Sequence, residues 1–214
     1  MLLIFDWDGT LSDSTAKIIQ CLQQAAQSAG ARVCSDDAIM NIIGLGLPEC
    51  MRVLYPELTQ TQQDEIRYYY SVHFIREDQT PSPFFEGVHE GLELLRDKGH
   101  LLTVATGKSR KGLDRVLKKL QLDNFFHASR CADETASKPN PKMLSELLDE
   151  FSVSKDEAIM IGDTEYDMSM AEQLAMPRVA VSYGAHKVAR LQKFKPLACV
   201  NHFSEFVDWV VKKY

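Results

Sequence analysis

The chain lacks a basic excess: 24 Lys and Arg stand against 30 Asp and Glu, for a net charge of −6. A dedicated nucleic-acid binder carries a basic patch, so that class is excluded. No apolar run approaches the roughly 18 residues that a membrane helix needs, so no membrane partner is expected. The apolar opening Met1–Phe5 is cut by Asp6, and no Lys or Arg precedes Lys17, so no secretory signal is expected either. Cysteine is too sparse and too scattered for a framework. Cys21, Cys34, Cys50, Cys131 and Cys199 are odd in number and form no CxxC pair, which fits thiols in a reducing, cytoplasmic compartment. The six histidines stand singly without HxxxH spacing, so they offer no metal-ligand pattern. Internal repeats and low-complexity tracts are absent.

What is present is an ordinary globular composition, 45% hydrophobic and 25% charged, over 214 residues. At about 150 residues per domain, that length suits one full-sized domain with a smaller unit added. Residues 2–5 are an unbroken apolar run, as expected of a strand buried on both faces of a parallel sheet. Leu101–Ala105, Ala158–Ile161 and Val179–Val181 share this character. Between them, apolar residues recur at helical spacing, as in Val88, Leu92 and Leu95, in Leu113, Val116, Leu117 and Leu120, and in Leu144, Leu147, Leu148 and Phe151. Strands alternating with helices predict an α/β fold with a doubly wound parallel sheet.

Residues 15–79 read differently. They hold no strand run but helical stretches around 15–29, 36–43, 48–55 and 60–77, punctuated by Gly30, Gly44, Gly46, Pro48 and Pro56. Thr80-Pro81-Ser82-Pro83 is a stiff connection suited to a hinge. The predicted division is therefore a core of residues 1–14 and 80–214 with a small helical insertion, 15–79.

Ligands of open α/β sheets sit beyond the C-terminal strand ends, so the residues there carry the functional reading. The first run is followed by Asp6-Trp7-Asp8-Gly9-Thr10-Leu11-Ser12-Asp13-Ser14, and the second by Thr106-Gly107-Lys108-Ser109. The run at 158–161 is followed by Gly162-Asp163-Thr164-Glu165-Tyr166-Asp167, and Ser137-Lys138-Pro139 precedes a helix. Taken singly, each has an ordinary structural explanation: a solvated loop, a helix cap, a surface lysine. Together, four acids, a hydroxyl and an amine at successive edges describe a phosphoryl-transfer centre. Asp6 and Asp8, two apart, point to the same side of an extended segment. They repel unless a cation lies between or beside them. An oxygen-rich cluster of this kind suits Mg²⁺ with a phosphate oxygen and water.

These segments resemble the haloacid dehalogenase-like hydrolase superfamily, in its phosphoglycolate phosphatase-like branch with a helical cap. The first nine-residue segment is similar to its motif DxDGTLxDS at every fixed position. Thr106, Lys138 within Lys-Pro-Asn-Pro, and the GDxxxD of Gly162–Asp167 resemble its other three. The resemblance spans residues 1 to about 184 and implies a Rossmann-like core beneath the inserted cap. It also implies roles. Asp6 would be the nucleophile that forms an aspartyl-phosphate, and Asp8 the general acid and base. Asp6, the Asp8 backbone carbonyl and Asp163 would hold Mg²⁺, with Asp167 supporting that shell and orienting Lys138. Thr106 and the Gly107 amide would bind phosphate oxygens, and Lys138 would neutralise charge. Arg52, just beyond the cap loop Gly44–Leu47, would contact an anionic leaving group.

The activity implied is Mg²⁺-dependent hydrolysis of a small phosphorylated metabolite, with 2-phosphoglycolate first among substrates. A phosphosugar mutase of the same branch and a non-catalytic phosphate-binding or regulatory module remain as alternatives, and both monomer and homodimer stay open. Asp8 favours phosphate esters, because dehalogenases of the superfamily lack the second Asp.

Overall fold

The computed structural model describes residues 1–77 and 82–214. The chain runs β1 (Leu2–Phe5), α1 (Thr15–Ser28), α2 (Asp36–Met40), α3 (Leu47–Leu54), α4 (Gln60–Glu77) and α5 (Val88–Asp97). It continues through β2 (Leu101–Thr106), α6 (Arg110–Lys119), β3 (Ala128–Cys131), α7 (Lys142–Phe151) and β4 (Ala158–Gly162). Then come α8 (Glu165–Gln173), β5 (Arg178–Val181), α9 (Val188–Leu191), β6 (Ala198–Val200) and α10 (Phe203–Lys213). The six strands form one parallel sheet in the order β3-β2-β1-β4-β5-β6. Phe5 lies in register with Val104 on one side and Ile161 on the other. The order reverses between β1 and β4, which opens a crevice at their C-terminal ends.

Successive side chains of a strand face opposite ways, and β1 shows why its apolar run is unbroken. Leu3 and Phe5 enter the core that holds Val88, Leu92, Leu113, Phe203 and Phe206. Leu2 and Ile4 enter the opposite one with Met143, Leu144, Leu147 and Met170. The Phe5 ring meets Phe206 edge-on at 5.9 Å. Each such buried ring stabilises the fold by roughly 1.5–3 kcal/mol. Helix α5 approaches α10 closely because Gly91 has no side chain: a Cβ there would lie 2.7 Å from Val207 Cγ2.

The sequence predicts four strands, and the sheet has six. β3 and β6 lie at the sheet edges and are only partly buried, so neither carries the apolar run of a central strand. Residues 15–77 fold into α1–α4 with a separate apolar cluster around Leu22, Met51, Tyr55, Ile66 and Phe74. Entry to and exit from this helical unit run side by side. Asp13 N–H donates to Pro83 O at 2.9 Å, and Ser12 pairs antiparallel with Phe84. Thr80 and Pro81 of the predicted hinge lie outside the described residues. No helix among the described residues is long and apolar enough to cross a membrane.

Candidate active site

The first strand end is shaped by its own backbone. Asp6 N–H still donates to Ile161 O across the sheet at 2.9 Å, after which the chain turns. The amides of Leu11 and Ser12 both return to Trp7 O, at 3.0 and 2.9 Å. Gly9 sits at φ 85°, and a Cβ there would lie 2.3 Å from Asp163 Oδ2. The position needs both the left-handed conformation and the missing side chain.

That turn places Asp6 beside two acids from the far side of the crevice. Asp6, Asp163 and Asp167 are all buried, with one oxygen of each within 4.8 Å of the others. Lys138 is buried between them, its Nζ 2.6 Å from Asp6 Oδ1 and 2.6 Å from Asp167 Oδ1. Asp167 also closes the N-terminus of α8: Thr164 N–H and Oγ1–H donate to its Oδ2 at 3.1 and 2.7 Å. Asp163 accepts from Thr10 Oγ1 at 2.8 Å and from Ala185 N–H at 2.7 Å.

The electrostatics follow from burial. Desolvation pushes the Asp6 carboxyl well up, against the opposing charge of Lys138. Desolvation and then the neighbouring charge of Asp167 push Asp163 up to about 7. Burial disfavours the Lys138 ammonium, but the charges of Asp167 and Asp6 outweigh it and hold the lysine protonated. Three carboxylates against one ammonium leave a formal −2 in a buried pocket. Asp6 Oδ2 is buried with no hydrogen-bond partner. A divalent cation with oxygen preference fits both the charge deficit and the orphaned atom.

The Asp8 carboxylate stands apart from this trio. Its Oδ1 accepts from Ser14 Oγ at 2.6 Å and lies 2.9 Å from Lys108 Nζ. The Thr106 side chain is buried at the end of β2, and its Oγ1 accepts from Lys108 N–H at 3.2 Å. Gly107 lines the cavity above. Asp6, Asp8, Gly107, Lys138, Asp163 and Asp167 thus converge on one crevice, with Thr106 beneath it.

Arg52 is not brought to the crevice. Its side chain is 58% exposed, it pairs with Glu49 one turn back, and it is not among the cavity-lining residues. Four site residues carry no assigned role in the sequence reading. Thr10 and Ser14 sit inside the first motif, where their hydroxyls hold Asp163 and Asp8. Lys108 follows Thr106-Gly107 and reaches Asp8. Tyr183 OH donates to Thr10 O at 3.0 Å. Only the strand-end rule could have pointed to Lys108. His186 is buried, with Glu165 N–H directed at its Nδ1 at 3.1 Å and its Nε2 3.3 Å from Asn41 O.

The helical unit touches the sheet through backbone. A Cβ at Gly107 would lie 2.5 Å from Leu45 O and 2.7 Å from Gly44 O. Gly46 N–H donates to Ser137 Oγ at 2.8 Å. Gly107→Ala must therefore push the 44–46 turn off β2, at an expected cost of about 1–3 kcal/mol. Urea unfolding measures it; an unchanged midpoint would mean that the turn does not rest on Gly107 in solution.

Residues 3–181 match the family described as haloacid dehalogenase-like hydrolase. The chain is 33% identical to the Dickeya dadantii protein named "Probable phosphatase IndB", over 96% of this chain and 91% of that one. It is 26% identical to the phosphoglycolate phosphatase of Agrobacterium fabrum, over 99% and 93% of the two chains. A hydrolase from Pseudomonas syringae superposes with a TM-score of 0.90 at 21% identity, covering 100% of this chain and 99% of that one, a likeness of fold. With that match across most of its length, and with the acids of its motifs meeting at the β1/β4 crevice, the chain belongs to the haloacid dehalogenase-like hydrolases.

Proposed function

We propose that the protein is a Mg²⁺-dependent phosphatase of small phosphate monoesters that works through an aspartyl-phosphate on Asp6. The observation that carries this reading is the buried Asp6–Lys138–Asp167 contact beside Asp163, with Asp8 two residues from Asp6 and outside the trio. An oxygen of Asp6 attacks phosphorus and the ester P–O bond breaks, while Asp8 delivers a proton to the leaving alkoxide. Asp8 then takes a proton from water, whose oxygen attacks the acyl phosphate. The bond from phosphorus to Asp6 breaks, releasing inorganic phosphate and restoring the carboxylate.

The chain's other groups position these atoms. Asp6, Asp163 and the Asp8 backbone carbonyl are the ligands proposed for Mg²⁺, with Asp167 holding Lys138 in support. Mg²⁺ bound there supplies two positive charges against the repulsion between the phosphoryl dianion and the Asp6 carboxylate, which is on the order of several kcal/mol. Thr106 and the Gly107 amide bind phosphoryl oxygens, and Lys138 neutralises charge on phosphate and nucleophile. The helices of residues 15–79 serve as a cap that excludes water. The substrate is a phosphorylated metabolite, and the free thiols suit a cytoplasmic setting.

The test is phosphate release from a panel of monoesters with and without Mg²⁺, 2-phosphoglycolate included because the family resemblance points to it. A stability readout accompanies it. With its folded-state carboxyl raised to about 7, Asp163 binds a proton that the unfolded chain loses near pH 4. Between those values the folded state holds more protons, so the contribution of Asp163 to stability falls as pH rises through the window. A cation competes with that proton. Saturating Mg²⁺ should therefore raise Tm more near pH 8 than near pH 5, and EDTA should abolish both that difference and turnover. Equal shifts at the two pH values would reject the trio as the metal site.

A further inference from the structure

Above Asp6 and Asp8, between the helical unit and the sheet, lies a cavity of about 670 Å³. Its size exceeds what a two-carbon acid as leaving group would fill. 2-Phosphoglycolate has nine non-hydrogen atoms, and at roughly 30 Å³ for a water-sized atom it would occupy roughly 270 Å³. The remaining walls are mostly hydrocarbon and aromatic, including Ile18, Leu22, Ile43, Leu47, Tyr70 and Phe74. A carboxylate placed against these apolar walls, away from the lysines and arginines that also line the space, would lose its hydration without gaining a partner.

Four cations line this space: Arg67, Lys108, the exposed Lys111, and Arg115, whose guanidinium lies 5.7 Å from the Phe74 ring centroid. Lys108 pairs with Asp8 at 2.9 Å, and Arg67 pairs with Asp64 at 2.7 Å. Arg52, the cation that a carboxylate-bearing substrate would have met, faces away beside Glu49.

The aromatic wall is built rather than incidental. Tyr70 and Phe74 lie one turn apart on α4, their ring centroids 5.5 Å apart and tilted by 44°. Phe74 is held in place, 7% exposed, with Lys108 Nζ 5.0 Å from its centroid. That same ammonium touches Asp8, so the ring wall stands one side chain away from the proposed proton donor. Tyr70 and Asp8 line the same cavity. A leaving group whose ester oxygen sits at Asp8 would extend along these two rings.

From this arrangement we infer that the preferred substrate is a phosphate monoester of a ring-bearing alcohol, aryl or nucleoside in size, whose ring packs against Tyr70 and Phe74. The inference rests on the phosphatase reading and narrows its substrate class. Ring faces provide offset or edge contacts to Tyr70 and Phe74, and the Lys108 ammonium lies close enough to meet the π-face of a bound ring.

The experiment compares kcat/KM for p-nitrophenyl phosphate and nucleoside 5′-monophosphates with that for 2-phosphoglycolate, glucose 1,6-bisphosphate and inorganic pyrophosphate. It is run on the wild type, on Ser71→Trp, on Arg52→Ala and on Asp6→Asn as the inactive control. Ser71 lines the cavity on an exposed stretch of α4, so a tryptophan there fills space without opening the apolar core. The ring-bearing esters should exceed the anionic ones by about tenfold or more, a margin that hydrophobic pockets commonly reach. Ser71→Trp should lower the ring-bearing esters about tenfold further than 2-phosphoglycolate, and Arg52→Ala should move neither. A preference for 2-phosphoglycolate, a bisphosphate or pyrophosphate would overturn the leaving-group class and leave the phosphatase standing. Equal losses on every ester in Ser71→Trp would overturn the ring-packing wall. If no ester is hydrolysed faster than by Asp6→Asn, the phosphatase reading falls and this inference falls with it.

Discussion

Asp6→Asn is expected to lower kcat for any phosphate monoester by at least about 10³-fold while leaving the metal-free fold as stable as the wild type or more so. The loss follows because an amide carries no charge and cannot displace an alkoxide from phosphorus, and nucleophile removal of this kind costs such factors. The gain has a separate origin. In the metal-free protein the Asp6 carboxyl is held well above its ordinary pKa by burial, so its ionised form destabilises the fold as pH rises. An asparagine removes that penalty and keeps the shape. Phosphate release and urea unfolding, run near pH 8, separate the two effects. Substantial residual turnover would displace Asp6 from its proposed role, and a large loss of stability would mean that its carboxylate is a structural anchor.

Lys138→Met carries the second large effect, and on stability it runs the other way. The lysine is fully buried, with Asp6 and Asp167 each 2.6 Å from its nitrogen. Removing it leaves the three acids of the trio without a cation, and uncompensated buried charge of this kind costs about 3–5 kcal/mol. Protons can substitute for the lost ammonium. The carboxyls take them up at low pH, so the variant should lose much less stability near pH 5 than near pH 8. Turnover should fall by about 10³-fold or more at either pH, since the phosphoryl charge also loses its partner. Denaturation at the two pH values tests the electrostatic account. Equal losses would assign the cost to packing. Adding Asp167→Asn should recover part of the stability near pH 8 and none of the activity.

Much of this site was legible before any coordinates. Asp6 and Asp163 each follow a run of apolar residues, and such runs mark central strands of a parallel sheet, beyond whose ends ligands bind. The helical stretches of 15–77 were legible from spacing as well. The edge strands β3 and β6 were not, because a half-buried edge does not need an unbroken apolar run and Ala128-Ser129-Arg130-Cys131 does not supply one. Which residues of the run Tyr68-Tyr69-Tyr70 face the cavity is decided by the fold, where the 64% exposed Tyr68 and Tyr70 both line it. Arg52 reads as a cation near the cap loop, and its pairing with Glu49 depends on which way the helix α3 is rotated.

Local pattern thus settles the sheet, the central strands, the motif turns and the residue types available at each strand end. These depend on neighbours a few positions away, through pleat and helix periodicity and through the φ that Gly9 must adopt. The partners of those residues depend on something else. Thr10 holds Asp163 across 153 positions of chain, and Lys108 meets Asp8 only because β1 and β2 lie side by side in one register. The burial that raises Asp163 and the charge count that leaves the trio two units negative arise from that assembly. So does the ring-lined space above Asp8, formed where a helical unit with its own core rests on the edge of a sheet. Long-range register and packing decide these, and no short segment of the sequence encodes them alone.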